Sequence, residues 1–200
     1  MRVQSGGETV KDIVLENIGI SFGDNRVLSG LCHVFRAGSV TCIEGPSGCG
    51  KTTLLNIIAG ICEPDEGSVS GVPEKIAFVF QEDRLCEDYT VGANIRLVCG
   101  ARMPAEKIDA LLAELDLSGT EKKPVRDFSG GMKRRVAIAR ALAYEGELVI
   151  LDEPFKGLDD ALKKKAMDCV LAHCAGKTLI CVTHDSAEAE YLGGEILKLD

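Results

Sequence analysis

Gly45, Gly50, Lys51 and Thr52 stand in the spacing G-x-x-x-x-G-K-T within "GPSGCGKTT", directly after the apolar run "VTCIE". Glycines in such a loop let backbone N–H groups turn inward around phosphate oxygens, and a helix beginning at its end adds a positive partial charge. Lys51 is placed to neutralise phosphate, and the Thr52 hydroxyl to ligate a hard cation such as Mg2+. A second pair, Asp152 and Glu153, closes the apolar run of "ELVILDEP". Two carboxylates at the end of a buried strand suit a cation or its water on the first, and polarisation of an attacking water by the second. A third feature is "FSGGMKRR", where Ser129 and the N–H groups of Gly130 and Gly131 offer another anion-binding helix start.

Particular elements must hold these groups. Alternation in "IVLENIGISF", a turn at Gly23-Asp24-Asn25, "RVLSGLCHVF", a turn at Ala37-Gly38 and "SVTCIE" predict successive strands. "KTTLLNIIAGI" has helical spacing, so the glycine-rich loop joins a strand to a helix, and "GSVSGVPEKIAFVFQ" reads as two short strands. Pro104 followed by Ile108, Leu111, Leu112 and Leu115 predicts a helix, in a middle region of about 84–127 that reads as helical. Beyond it come a helix with an apolar face of Met132, Val136, Ala139 and Ala143, the strand "ELVILD", a helix from Asp159 or Asp160, and the strands "TLICVT" and "EILKLD". Such alternation with near-continuous apolar strands predicts an α/β fold whose parallel sheet is covered by helices.

Composition narrows the functional classes. With 200 residues, 46% of them apolar, the chain can fill one sizeable core, and no linker divides it. A formal charge of −8 argues against nucleic acid as a partner through a broad basic face, and Lys163, Lys164 and Lys165 read as the solvated side of a helix. The opening "MRVQSGGETVKD" has no apolar core of a secretory signal, and no stretch nears the roughly 20 apolar residues of a membrane span. A cytoplasmic protein is expected. Nine cysteines without a C-x-x-C pair fit reduced thiols. Cys169, His173, Cys174, Cys181 and His184 gather in sequence, but they fall on a helix and a strand where structural zinc sites prefer turns, so buried thiols are expected there.

Taken together, the motifs resemble the ATP-binding subunit of an ATP-binding-cassette (ABC) transporter over essentially the whole length. "GPSGCGKTT" resembles the Walker A motif, "FSGGM" the signature, "ELVILDEP" the Walker B motif and "FKGLD" the D-loop; Gln81 in "VFQ" resembles the Q-loop glutamine and His184 in "VTHD" the switch histidine. The resemblance implies a P-loop NTPase of the ABC-cassette fold, with a parallel core sheet, an N-terminal antiparallel β subdomain and the helical subdomain inserted at about 84–127, all in a single domain spanning 1–200. It implies ATP and Mg2+ as cofactors. Phe22 would meet adenine, and Gly45, Pro46, Ser47, Gly48, Cys49, Gly50, Lys51, Thr52 and Thr53 would hold the phosphates. Ser129, Gly130, Gly131 and Asp159 would act across a head-to-tail pair of subunits. Thr52, Gln81 and Asp152 would hold the metal, and Lys51, Gln81, Glu153 and His184 would carry catalysis.

The implied partners are an integral membrane permease, a second ATPase subunit (identical or a paralogue) and an extracytoplasmic solute-binding protein, with the chain peripheral on the inner face of the cell membrane. "VFQEDRL", "RRVAIARAL" and "LDEPF" are similar to importer subunits for nitrate, sulfonate or taurine-like solutes. Departures are Phe128 and Met132 in the signature and the absence of Pro-Trp after Gln81, in the region that docks the membrane subunit. The sequence closes at Asp200, soon after His184, so no fused regulatory domain is expected. Two other classes compete: a soluble ABC ATPase, as in iron–sulfur cluster assembly, and a P-loop small-molecule kinase, which would share only the first motif.

Overall fold

A computed structural model of the protein describes residues 11–100 and 103–200; the opening segment read above for a signal lies mostly outside these. The first sheet is antiparallel, with β1 (Ile13–Phe22) between β2 (Asn25–Phe35) and β4 (Glu66–Ser70). The second is wholly parallel. It comprises β3 (Val40–Glu44), β5 (Ile76–Val79), β6 (Leu148–Asp152), β7 (Thr178–Val182) and β8 (Glu195–Lys198), in the order β5-β6-β7-β3-β8.

The central strands β6 and β7 are buried on both faces of the parallel sheet, which is why they read as unbroken apolar runs. Along β6, Leu148 and Ile150 pack to one side with the antiparallel sheet and α1 (Lys51–Ile58), whose Leu54, Leu55, Ile57 and Ile58 complete that layer. Val149 and Leu151 point to the other side. There they meet the second layer, which includes α2 (Val91–Cys99), α3 (Ala105–Glu114), α4 (Gly130–Ala143) and α5 (Asp160–His173). A 3₁₀ turn at Val125–Asp127 leads into α4, so the stretch read as helical holds two helices and this turn.

Two readings need correction. α6 (Ser186–Leu192) was not expected; "SAEAEYL" buries only Glu188, Ala189 and Leu192, too short a pattern to show helical periodicity. The apolar face expected of α4 is also too narrow. Arg134 and Arg135 are buried with Val136 to Ala139 and Ala141 to Ala143, so most of the helix circumference is covered.

Candidate functional site

The loop between β3 and α1 is shaped by its glycines. Gly50 has φ +99°, and a Cβ there would lie 2.8 Å from Val27 Cγ1 and 2.9 Å from Leu28 Cδ2, so only glycine lets the loop close against β2. Lys51 is buried, and its Nζ donates to Gly45 O at 2.8 Å and Pro46 O at 2.7 Å. Cys49 Sγ lies 3.9 Å from the same Nζ.

Thr52 Oγ1 donates to Asp152 Oδ2 at 2.7 Å, joining the start of α1 to the end of β6. Burial pushes the Asp152 carboxyl above the usual aspartate range, even with that hydrogen bond favouring its charge. The hydroxyl and the buried carboxylate thus form a hard-oxygen pair at the cavity, which fits Mg2+. Glu153 shifts the other way. Burial would raise its carboxyl, but the Lys156 Nζ bond at 2.8 Å and the adjacent His184 Nε2 together hold it below the usual glutamate range. The surroundings of the two carboxyls thus shift them in opposite directions, burial dominating at Asp152 and the neighbouring cations at Glu153.

Backbone geometry fixes where Glu153 points. Its φ is +47°, a left-handed conformation costing about 1 kcal/mol or more in a non-glycine residue, held by Glu153 N donating to Val182 O at 3.0 Å. Arg134 secures the same turn from below. Its guanidinium donates to the carbonyls of Pro154 at 3.0 Å, Glu153 at 2.7 Å and Phe80 at 2.6 Å, and also reaches those of Asp152 and Gln81. One buried side chain so joins the end of β6 to the segment carrying Gln81. His184 follows β7. Asp185 N donates to Thr183 Oγ1 at 3.1 Å, and Thr183 bonds Glu188 of α6, itself paired with Lys163 of α5 at 2.8 Å.

Lys51, Thr52, Asp152, Glu153 and His184 share one cavity of about 230 Å³ at the carboxyl edge of the parallel sheet, where α/β proteins bind ligands. Its wall contains Ser47, Gly48, Gly50, Lys51, Thr52, Thr53, Gln81, Asp152, Glu153 and His184, together with Val27 of β2. Gly45, Pro46 and Cys49 belong to the same loop but are not in the wall. Phe22 is not in the wall; the residue is 56% exposed at the end of β1.

Ser129, Gly130, Gly131 and Asp159 are not in the wall either. Ser129 caps α4 by accepting from Met132 N at 3.4 Å, and Asp159 caps α5 by accepting from Leu162 N at 3.0 Å. A Cβ on Gly131 would lie 3.4 Å from Leu158 Cδ2, so these two helix starts adjoin. Arg134, Lys156 and Glu188 were absent from the sequence-based site. Of these, Arg134 left a trace: it stands at i, i+4, i+7 with Ile138 and Ala141, so a helix face otherwise apolar carries a guanidinium.

Comparison with known proteins agrees with this geometry. The profile of the family described as "ABC transporter" matches residues 28–156. The chain is 40% identical over 194 residues to the aliphatic sulfonates import ATP-binding protein SsuB 1 of Pseudomonas syringae pv. syringae, covering 96% of this chain and 81% of that protein. It is 41% identical over 202 residues to the SsuB protein of Bacillus subtilis, covering 94% and 73%. A Rhodococcus jostii Fe(3+) ions import ATP-binding protein, FbpC 3, is 39% identical over 201 residues, covering 91% and 58%. Among solved structures, a dimeric bacterial ABC transporter cassette superposes with a TM-score of 0.83 at 30% identity, covering 94% of each chain. The same values hold for that cassette in a post-hydrolysis state bound to ADP and Pi.

Proposed function

Because the chain belongs to the ABC transporter family, we propose that it is the ATP-hydrolysing motor subunit of an importer, driving a membrane permease from the cytoplasmic face. The protein is an ATPase. The observation that carries the finer reading is the division of the site: the groups that hold phosphate and polarise water line one cavity, while the start of α4, a helix N-terminus suited to an anion, contributes nothing to its wall. Ser129, Gly130 and Gly131 of a second subunit complete the site, and Asp159 beside them senses closure. The fourteen-residue α4 gives that N-terminus a full macrodipole.

Within the cavity the roles follow from chemistry. Lys51 leaves the Gly45 and Pro46 carbonyls for the β and γ phosphates, and the N–H groups of the loop surround them. Mg2+, held by Thr52 with Asp152 and Gln81, would neutralise charge on the leaving phosphate. Glu153 takes up a proton from water, and His184 orients that water and the terminal phosphate. Phe22, exposed near the strand end, is available to stack on adenine.

Cys49 reports on occupancy of the loop. At ATP about a hundredfold above its dissociation constant, alkylation of Cys49 slows by about 100-fold when only free protein reacts. Peptide mass spectrometry measures this, with exposed Cys32 and Cys86 as internal references. Equal rates with and without ATP would place the nucleotide elsewhere.

Docking of the permease is supported by a groove of about 610 Å³ beyond Gln81, between β5 and α2. Ile61, Leu97 and Val98 expose apolar surface in it, and Arg84, stacked over the Phe80 ring, and Arg140 supply charge for an acidic partner group. No helix among the described residues is long and apolar enough to cross a membrane. Purification from the native membrane is expected to bring a multi-spanning permease with the wild type and to lose it with Leu97→Asp, at unchanged expression. An extracytoplasmic solute-binding protein would co-purify with an importer. Recovery free of any membrane protein would favour a soluble ATPase instead.

A further inference from the structure

α5 carries Cys169 and His173 four residues apart, hence on one face and about one turn from each other. That face meets the end of α3, whose last residue, Glu114, turns its carboxylate toward both. Cys169 Sγ donates to Glu114 Oε2 at 3.4 Å, and His173 Nε2 lies 2.9 Å from the same oxygen. All three ligand atoms lie within 4.8 Å of one another. With metal–ligand bonds of roughly 2.0–2.3 Å at tetrahedral angles, neighbouring ligand atoms stand roughly 3.2–3.7 Å apart. The two measured edges reach that range with shifts of a few tenths of an ångström. Of the other residues that gather in sequence here, Cys174 is buried at the end of α5, Cys181 lies in the core of the sheet, and His184 bonds Glu153. The partner that completes the set is therefore Glu114, far away in sequence.

We propose that Glu114, Cys169 and His173 form a binding site for one zinc-class divalent cation, with water as the fourth ligand. The donor set of thiolate, imidazole and carboxylate favours a borderline-soft ion over Mg2+, which takes oxygen ligands and resists losing its waters. Burial grades from Cys169, through the half-buried His173, to the exposed Glu114, giving the ion an entrance on the carboxylate side. On binding, the Cys169 S–H bond breaks, its proton passes to solvent and a sulfur–metal bond forms, with no change in oxidation state. The chain just after α3 is fixed in place beside these ligands: Lys165 Nζ bonds Asp116 Oδ1 at 2.7 Å, and Arg135 Nη1 donates to the Leu115 and Asp116 carbonyls at 2.8 and 2.9 Å. A bound cation would brace α3 against α5.

Co2+ is a spectroscopic probe for this site. Titration of the purified full-length protein, without nucleotide, is expected to give a thiolate-to-cobalt charge-transfer absorption saturating at one equivalent, displaced by Zn2+ and insensitive to excess Mg2+. Cys169→Ser abolishes the band, whereas Cys32→Ser leaves it. His173→Gln and Glu114→Gln, at more accessible positions, weaken Co2+ binding at least about tenfold, since even loss of an outer-sphere partner costs roughly 10–100-fold. Basal ATPase activity persists in all four variants. Absence of the band overturns the proposal, as does a band that survives Cys169→Ser. Should Cys169→Ser fail to fold, unchanged Co2+ affinity in both His173→Gln and Glu114→Gln overturns it equally.

Discussion

Glu153→Gln is expected to lower ATP turnover by about 10²–10⁴-fold, or about 3–5 kcal/mol of barrier, while leaving ATP binding intact. The amide keeps the shape of the side chain and can still bond His184, but it accepts no proton from water and no longer attracts Lys156. The phosphate-holding groups, Lys51 and Thr52, are untouched. Bound ATP therefore accumulates in the closed pair of subunits, and the variant elutes as a dimer from a sizing column run in ATP and Mg2+, where the wild type cycles back to monomer. A variant that stays monomeric under these conditions would refute the shared-site arrangement.

Arg134→Met is expected to destabilise the fold by about 3–5 kcal/mol, the scale for breaking a buried charged network. The substitution keeps much of the aliphatic stem and removes the donors that Phe80, Asp152, Glu153 and Pro154 carbonyls rely on. It also leaves Asp83, 3.1 Å from Nη1, without its partner. For a chain of this size Tm falls by roughly 6–20 °C. Arg134→Lys recovers little, because three donors on a flexible stem do not reproduce a planar fork that reaches several carbonyls at once. Urea melts of the three proteins measure this; a midpoint unchanged in Arg134→Met would mean that water substitutes for the guanidinium. Turnover should also fall in Arg134→Met, since the carbonyls it gathers set the positions of Glu153 and Gln81.

What the sequence discloses and what it withholds divide along a physical line. β3, β6 and the loop from Gly45 to Gly50 are legible because their signals are local: strands buried on both faces must be apolar throughout, and a phosphate cradle needs glycine and lysine at set intervals. Thr52 and Asp152, each expected at a cation, meet directly at 2.7 Å, a contact that only the fold discloses. The roles of Arg134 and Lys156 are not legible, because a charged residue in a helix or loop is normally solvated, and only the folded chain brings the carbonyls or Glu153 within reach. The cysteine-histidine group shows the same limit from the other side. Neighbours in sequence, Cys174, Cys181 and His184, disperse to three different environments, and Glu114 arrives from another helix.

The strand order has a consequence for the birth of the protein. Among the described residues β3, which carries the phosphate loop, pairs only with β7 and β8, both made in the last quarter of the chain. At roughly 5–20 residues per second, the loop waits roughly 6–25 s between its own synthesis and that of Thr178–Val182. β7 then inserts between β3 and β6, and only with it does His184 come to exist. A nascent chain can thus display the lysine and glycines of a phosphate loop while lacking the sheet edge that would let it spend ATP; the hydrolytic half of the cavity is delivered last.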